Sequence, residues 1–173
     1  MNKMTTLVAV LLLTVFGAGC KDNRPPANGS QGKLIDACAL IDKAQAMQLM
    51  GEPLADAEKK ENKVVGQQIC LYNSANQDSF RLFQISLTQQ AFMPANGQSP
   101  QSIYEATRAN FPDGIKVDGV GDDAFIAPPG LHILKDNYYI TIAVGNSDDP
   151  ENQKILKAAG KIAVENLVKL EPK

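Results

Sequence analysis

The 173-residue sequence has few of the residues that usually carry chemistry. It contains no tryptophan, a single histidine at position 132 and three cysteines. One histidine without a Cys-x-x-Cys pair gives too few ligands for a usual zinc site. A Gly-x-Ser-x-Gly elbow, which would present a serine nucleophile, is also missing. The sequence therefore predicts no catalytic residue, no metal ligand and no cofactor, and we expect a protein that is not an enzyme.

The sequence also has no strong excess of charge of either sign. The chain has 17 basic and 19 acidic side chains, and residues 1–19 contain only Lys3, so the remainder carries 16 against 19, a net charge of −3. Nothing in this balance would draw the protein to nucleic acid or to anionic lipid. Hydrophobic residues at 44% and charged residues at 21% are typical of a globular chain.

No long hydrophobic run is present. The apolar stretch at residues 7–16 has ten residues, whereas a helix that crosses a bilayer needs about 20. It follows Lys3 and is closed by Gly17-Ala18-Gly19-Cys20. This layout is that of an export signal, and it resembles the signal of bacterial lipoproteins, in which the cysteine receives a diacylglyceryl thioether.

One position departs from the lipoprotein pattern, because Gly17 stands where an aliphatic residue is usual. Gly17 and Gly19 also satisfy the small-x-small rule of the ordinary secretory peptidase, which would leave Cys20 a free thiol. Three cysteines would then leave one unpaired in an oxidising compartment. We therefore expect lipidation of Cys20. In diderm bacteria the lysine at position 21, in place of aspartate, implies an outer-membrane location on the periplasmic face.

The sequence divides into three parts on this interpretation. Residues 1–19 form the signal peptide, and residues 20–33 form a lipidated cysteine with a flexible tether that has no large apolar side chain. Residues 34–173 are of a size that suits one globular domain with a single core. Cys38 and Cys70 lie in that domain, and a disulfide between them is the expected use of two cysteines in an exported chain.

Local signals predict three helices. The first has Asp42 as its N-cap and ends at Gly51, the second opens with Ser99-Pro100, and the third begins at Asp149 and continues to about residue 170. Strands are predicted at 64–65 with 69–72, 80–88, 115–117, 124–127, 131–135 and 138–144. Because the strands are grouped between the helices, we expect an α+β fold with an antiparallel sheet of about six strands flanked by three helices.

Two strand predictions carry a specific expectation. The alternation of apolar residues in 80–88 slips once, which indicates a bulge near Leu82 or burial on both faces. Asp136-Asn137 is predicted to be a two-residue hairpin turn, followed by Tyr138 and Tyr139 on opposite faces. One of these tyrosines should therefore meet solvent or a partner, whereas most of the other aromatic residues are expected in the core, with a ligand groove as the alternative.

Two candidate sites have simpler interpretations. The carboxylates of Asp118, Asp122 and Asp123 lie among glycines and could bind a cation, but the EF-hand spacing and its closing glutamate are missing. We therefore favour a turn that leads into the next strand. His132 points opposite to Leu131 and has no evident catalytic partner, so a solvent-facing strand residue is favoured over a general base.

Four short segments occur in an order that resembles one group of known proteins. They are the run CALI at 38–41, Gly51, the run CLY at 70–72 and the run GVGDDAF at 119–125. This order is similar to that of small bacterial lipoproteins from families of unknown function, whose domains resemble the PsbP-like α/β/α sandwich. The resemblance implies an antiparallel sheet between helices, and it brings no catalytic residues.

We therefore expect a cell-envelope lipoprotein that faces the periplasm and has a non-catalytic binding or envelope-assembly role. Its expected partners are the membrane, through Cys20, and a protein of the envelope, with no nucleic acid. A periplasmic immunity protein or inhibitor is an alternative with the same sequence signature. A metal-dependent hydrolase that uses Asp118, Asp122 and Asp123 is the third hypothesis.

Overall fold

The computed structural model describes residues 33–171. The predictions for the signal peptide, for Cys20 and for the tether up to residue 32 lie outside this range. Within it the fold is α+β, as predicted, with three helices and one antiparallel sheet of seven strands. The strand order is β1-β2-β3-β7-β6-β5-β4. No helix in residues 33–171 has the length and apolar content that a bilayer crossing requires.

The helices are α1 (Lys43–Met50), α2 (Pro100–Asn110) and α3 (Pro150–Leu170). The strands are β1 (Glu58–Asn62), β2 (Gln67–Asn73), β3 (Leu82–Thr88), β4 (Ile115–Lys116), β5 (Asp123–Ala127), β6 (Gly130–Lys135) and β7 (Tyr138–Ala143). Short 3-10 turns occupy Ala37–Ala39, Lys63–Val65 and Gln90–Phe92.

The predicted helix starts are confirmed in atomic detail. The Asp42 side chain accepts the N–H of Gln45 at 2.8 Å, and the Gln45 side chain accepts the N–H of Asp42 at 3.1 Å, which completes a capping box. Gly51 ends α1 in the left-handed conformation, with φ 68°. Ser99 caps α2 and Asp149 caps α3, each followed by a proline at the first helical position.

The seventh strand, β1, was not predicted. All five of its residues are charged or polar and all are exposed, so it has no apolar alternation to detect. It lies at the edge of the sheet, where charged side chains protect unpaired backbone groups from other chains. The strand predicted at 64–65 is wrong, because these residues form a 3-10 turn before Gly66, which reverses the chain with φ 59°.

The predicted strand at 80–88 is shorter than expected. β3 begins at Leu82 and pairs one-to-one with β2, so there is no bulge within it. Its last four residues, from Ile85 to Thr88, are all buried, so this part of the strand is covered on both faces, but the phase slip itself lies at Leu82, which is only half-buried. Phe80 lies outside the strand, in the turn that joins β2 to β3.

Helices cover both faces of the sheet. α1 and α3 pack on one face over the main core, in which Cys70, Ile85, Ile142 and Leu131 form one row across four strands. α2 packs on the opposite face against β6 and β7. It covers a smaller, aromatic cluster, the α2 cluster, whose buried members are Tyr104, Phe125, Ala127 and Tyr139.

The predicted disulfide is present between Cys38 and Cys70, with 5.2 Å between the two Cα atoms. Cys38 lies in the first 3-10 turn and Cys70 is buried in β2. The bridge therefore fixes the start of the domain on the main core. The Asp136-Asn137 turn is also confirmed, since both residues have positive φ values, 45° and 62°, as this type of hairpin requires.

Candidate functional site

The first candidate cation ligand, Asp122, has a structural role. Its Oδ1 accepts the Lys135 ammonium at 3.0 Å and its Oδ2 accepts the backbone N–H of Asp136 at 2.8 Å. The pKa of Asp122 lies below its ordinary value, mainly because the Asp136 amide stabilises the charged carboxylate. The Lys135 ammonium lowers the pKa further. The carboxylate therefore holds the acidic loop against the β6–β7 turn.

Asp118 and Asp123 have partners of their own. The Asp118 carboxylate pairs with Lys116 at 2.9 Å on the surface. The Asp123 carboxylate accepts the hydroxyl of Tyr104 at 2.7 Å, on the side of the sheet that α2 covers. No group of three potential metal-ligating side chains occurs among residues 33–171. The structure thus supports the turn interpretation of the loop.

The structure explains why glycine occurs beside these carboxylates. A Cβ added at Gly121 would lie 2.5 Å from the carbonyl oxygen of Leu134, and its φ of 64° already disfavours a side chain. Gly119 has φ 74° but open space around it. The close approach of the loop to β6 therefore explains the glycine at 121, without any bound phosphate or cation.

The prediction that His132 faces solvent is wrong, since the residue is only 2% exposed. Its Nε2 lies 3.2 Å from the carbonyl oxygen of Ala127, and its Nδ1 lies 2.7 Å from the hydroxyl of Tyr139. A carbonyl only accepts, so Nε2 carries the hydrogen and the neutral Nδ1 accepts the tyrosine hydroxyl. Burial lowers the pKa of His132 below its ordinary value.

Aromatic side chains enclose the imidazole of His132. The Phe125 ring stacks on it at 4.7 Å between centroids and 12° between planes. The Phe111 ring lies 6.3 Å away, and the Arg108 guanidinium covers the outer side of Phe125 at 4.5 Å. Both ring nitrogens are occupied and both ring faces are covered, so this histidine packs the α2 cluster and is not placed to act as a general base.

The two adjacent tyrosines of β7 point to opposite faces, as predicted. Tyr139 is buried in the α2 cluster, 5.6 Å from the ring of Tyr104. Tyr138 packs at the border of the main core and stays partly exposed. The alternation along the strand therefore gave the correct faces, and the exposed member of the pair is Tyr138.

A larger concave surface lies away from these residues, at one end of the sheet. Here β3 pairs with β2 from Leu82 onward but with β7 only from Gln84 onward. A gap therefore opens between β3 and the end of β7. The resulting groove has a volume of about 650 Å³. We call it the distal groove, and it is defined by Phe80, Leu82, Gln84, Pro129, Ala143 and Asn152.

Phe80 stands on the rim of the distal groove and is 98% exposed. The turn that carries it is well hydrogen-bonded, because the N–H of Ser74 donates to the carbonyl of Arg81 at 3.0 Å. The Arg81 guanidinium in turn donates to the carbonyl of Met50 at 3.4 Å and lies 3.5 Å from Glu52. The structure therefore presents an apolar ring to solvent on a turn that is fixed to the end of α1.

Sequence reasoning missed this groove. It placed Phe80 inside a strand and therefore in the core. The polar run at residues 73–79 is a turn signal that could have moved the start of the strand to Leu82. No sequence signal shows that the end of β7 and the start of α3 come together beside this turn.

A second, smaller groove of about 250 Å³ lies on the other side of the β7–α3 connection. The loop after α2 forms one wall, and Ala127, Pro128 and Asp148 form the other. Phe111 lines this groove and also stacks on His132, so it separates the histidine from the opening.

We found no match for this chain among protein-family models, curated protein sequences or solved structures.

Proposed function

We propose that the chain is a lipid-anchored protein of the bacterial cell envelope, attached through Cys20 and facing the periplasm from the outer membrane. Its role is non-catalytic, in binding a partner protein or in envelope assembly. The domain is a PsbP-like sandwich. The helices on both faces of one antiparallel sheet support this last assignment, since they give the α/β/α layering that the resemblance implies.

The Cys38–Cys70 disulfide is the observation that carries the proposal. Disulfides persist in oxidising compartments and are rare in the cytosol. This one uses two of the three cysteines in the sequence and leaves Cys20, which closes the export signal. An unpaired thiol is a liability in such a compartment. Acylation of Cys20 removes that thiol, and several acyl chains on one cysteine make a stable anchor.

The non-catalytic role is supported by the two candidate sites that the sequence offered. His132 is buried with both nitrogens hydrogen-bonded. Asp118, Asp122 and Asp123 bind three different partners. Neither arrangement provides a reactive group beside an open cavity, whereas the distal groove is open and carries an exposed aromatic side chain.

Metabolic labelling with a palmitate analogue tests the anchor directly. The full chain is expressed in a diderm host, and the wild type should incorporate label, partition into detergent and accumulate as an unprocessed precursor with globomycin. A Cys20→Ser variant should lose all three properties. The Cys38→Ser/Cys70→Ser double variant is the matched control, since it removes two cysteines and should keep them. Label on Cys20→Ser, or globomycin-insensitive processing of the wild type, would refute lipidation at this residue.

A further inference from the structure

We propose that the distal groove binds an extended, positively charged segment of a partner protein, whose apolar side chain packs against Phe80 and Leu82. This inference gives the binding role proposed above a surface and a class of partner. The inference rests on the proposed function for the location of the protein in the cell envelope. The class of partner is inferred from the groove alone.

The apolar part of the groove is unusual for a surface. Phe80 is almost fully exposed, yet its turn is held by the Ser74–Arg81 backbone hydrogen bond and by a second one from Ser79 to Asn76 at 3.0 Å. An aromatic side chain has only two torsions to fix on binding, so it loses little conformational entropy and gains the full benefit of leaving water. Such residues are typical anchors of protein interfaces.

The shape of the groove suits an extended chain. The backbone of β3 at Leu82 is paired with β2 on one side, and among residues 33–171 no strand lies beside it on the other. Pro129 and the first turn of α3 form the far wall. A peptide laid along this gap could use the free side of the β3 backbone as well as the apolar floor, which is a recurrent way for sheets to bind peptides.

The charge around the groove selects a cationic partner. Arg81 is paired with Glu52, and Lys154 is paired with Glu151 at 2.7 Å. The carboxylate of Asp149, which lines the groove, is exposed and has no cation within 4.0 Å in the described part of the chain. Asp149 is partly compensated by the helix start that it caps, but because Arg81 and Lys154 are each paired with a glutamate, its charge leaves the surroundings of the groove net negative.

The position of the groove favours a protein over a lipid surface. The N–H of Ile35 donates to the Gln89 side chain at 2.9 Å, so the described chain begins beside the residue that follows β3. The groove lies at the opposite end of β3, and the six residue steps between Leu82 and Thr88 span about 20 Å. The groove thus lies away from the point where the tether joins the domain, and its carboxylates would be repelled by anionic lipid.

A binding titration on the purified protein tests the chemistry. The probes are acetyl-KLFKK-amide and its charge-reversed control acetyl-ELFEE-amide, followed by amide chemical shifts. We expect saturable shifts confined to the groove for the cationic peptide, weakened at high salt, and about tenfold weaker binding of the acidic one, because exposed charge pairs are individually modest. Equal affinity for both peptides, shifts elsewhere, or no saturation at millimolar concentrations would overturn the proposal.

Surface variants locate the site. Phe80→Ser and Glu151→Gln should each weaken the cationic peptide several-fold, because both side chains line the groove and neither makes more than a surface contact. Val64→Ser is the matched control, since Val64 is an exposed apolar residue (79%) at the end of the sheet where β2 begins. If Val64→Ser weakens the peptide as much as Phe80→Ser, the groove is not the site.

A photo-crosslinker in intact cells tests the partner class. Benzoylphenylalanine replaces Phe80 in the full chain, or Val64 as a control, and the adduct is mapped by mass spectrometry. An adduct at position 80 alone, on a segment with basic residues beside an apolar one, supports the proposal. An adduct with phospholipid or a second copy, equal labelling at both positions, or no adduct contradicts it. If Cys20 is lipidated but the groove binds no peptide, this inference is wrong and the proposed anchor stands. If the groove binds the peptide but Cys20 is not lipidated, only the proposed anchor is wrong.

Discussion

The imidazole of His132 accepts the hydroxyl of Tyr139 at 2.7 Å across two neighbouring strands. His132 is paired in register with Thr141, two residues after Tyr139, so the two side chains are diagonal neighbours on one face of the sheet. α2 closes over both. The pair therefore joins β6 to β7 beneath the helix layer through a buried polar contact that depends on the neutral form of the histidine.

The stability of the domain should fall as the pH drops below about 6.5, the ordinary pKa of histidine in an unfolded chain. Burial lowers the pKa of His132 in the folded state. The folded protein therefore resists protonation that the unfolded chain accepts, and stability present above pH 6.5 is lost as the pH falls toward the folded pKa. Urea unfolding at pH 7.5 and at pH 5.5 measures this loss.

His132→Gln is the control for that pH dependence, because His132 is the only histidine. The difference between wild type and variant also subtracts Glu171, whose pKa is raised mainly by burial and which acts in the opposite direction. The variant should be less stable at both pH values, with a much smaller change between them. An unchanged pH dependence in the variant would contradict the assignment to His132.

Tyr139→Phe should destabilise the fold by about 1 to 2 kcal/mol, since it leaves the Nδ1 of His132 buried without its donor. Tyr138→Phe is the matched control in the adjacent position, where the side chain is partly exposed, and it should change stability by less than about 0.5 kcal/mol. Urea unfolding monitored by circular dichroism gives both values. Equal effects of the two variants would show that the hydrogen bond to His132 contributes nothing.

The features that sequence predicted correctly depend on near neighbours. The capping box needs only Asp42 and Gln45, and the hairpin turn needs only Asp136 and Asn137. The disulfide followed from the count of cysteines in an exported chain. Each of these signals is local or compositional, so no knowledge of the packing was required.

The features that sequence missed depend on contacts between distant elements. The face of His132 was predicted correctly, but whether that face meets water is decided by α2, which lies more than twenty residues earlier in the chain. β1 lacks apolar residues and is held by pairing with β2 and by the ion pair of Lys59 with Asp36. The distal groove combines the β2–β3 turn with the start of α3, and no pattern along the chain connects them.

Loss of the Cys38–Cys70 bridge should destabilise the domain by about 3 to 4 kcal/mol, the value expected for a closed loop of this size from the entropy of the unfolded chain. The sequence separation of the two cysteines is 32. The Cys38→Ala/Cys70→Ala variant measures this in urea, and reduction of the wild type should move its midpoint in the same direction. Cys20→Ser leaves the bridge intact, so its midpoint should equal that of the wild type without reductant, and the two midpoints should fall equally when reductant is added.

Asp122→Ala should destabilise the domain by about 1 kcal/mol, a value that already allows for solvent screening of a partly exposed carboxylate. The variant removes the acceptor for the Asp136 N–H in the β6–β7 turn. Asp118→Ala removes only the surface pair with Lys116 and should leave stability unchanged. Millimolar calcium should alter neither variant nor the wild type, because the carboxylates of the loop hold separate protein partners. If calcium raised the midpoint of the wild type and both substitutions abolished that effect, the loop would be a cation site, and the structural roles assigned to Asp122 and Asp118 would be wrong.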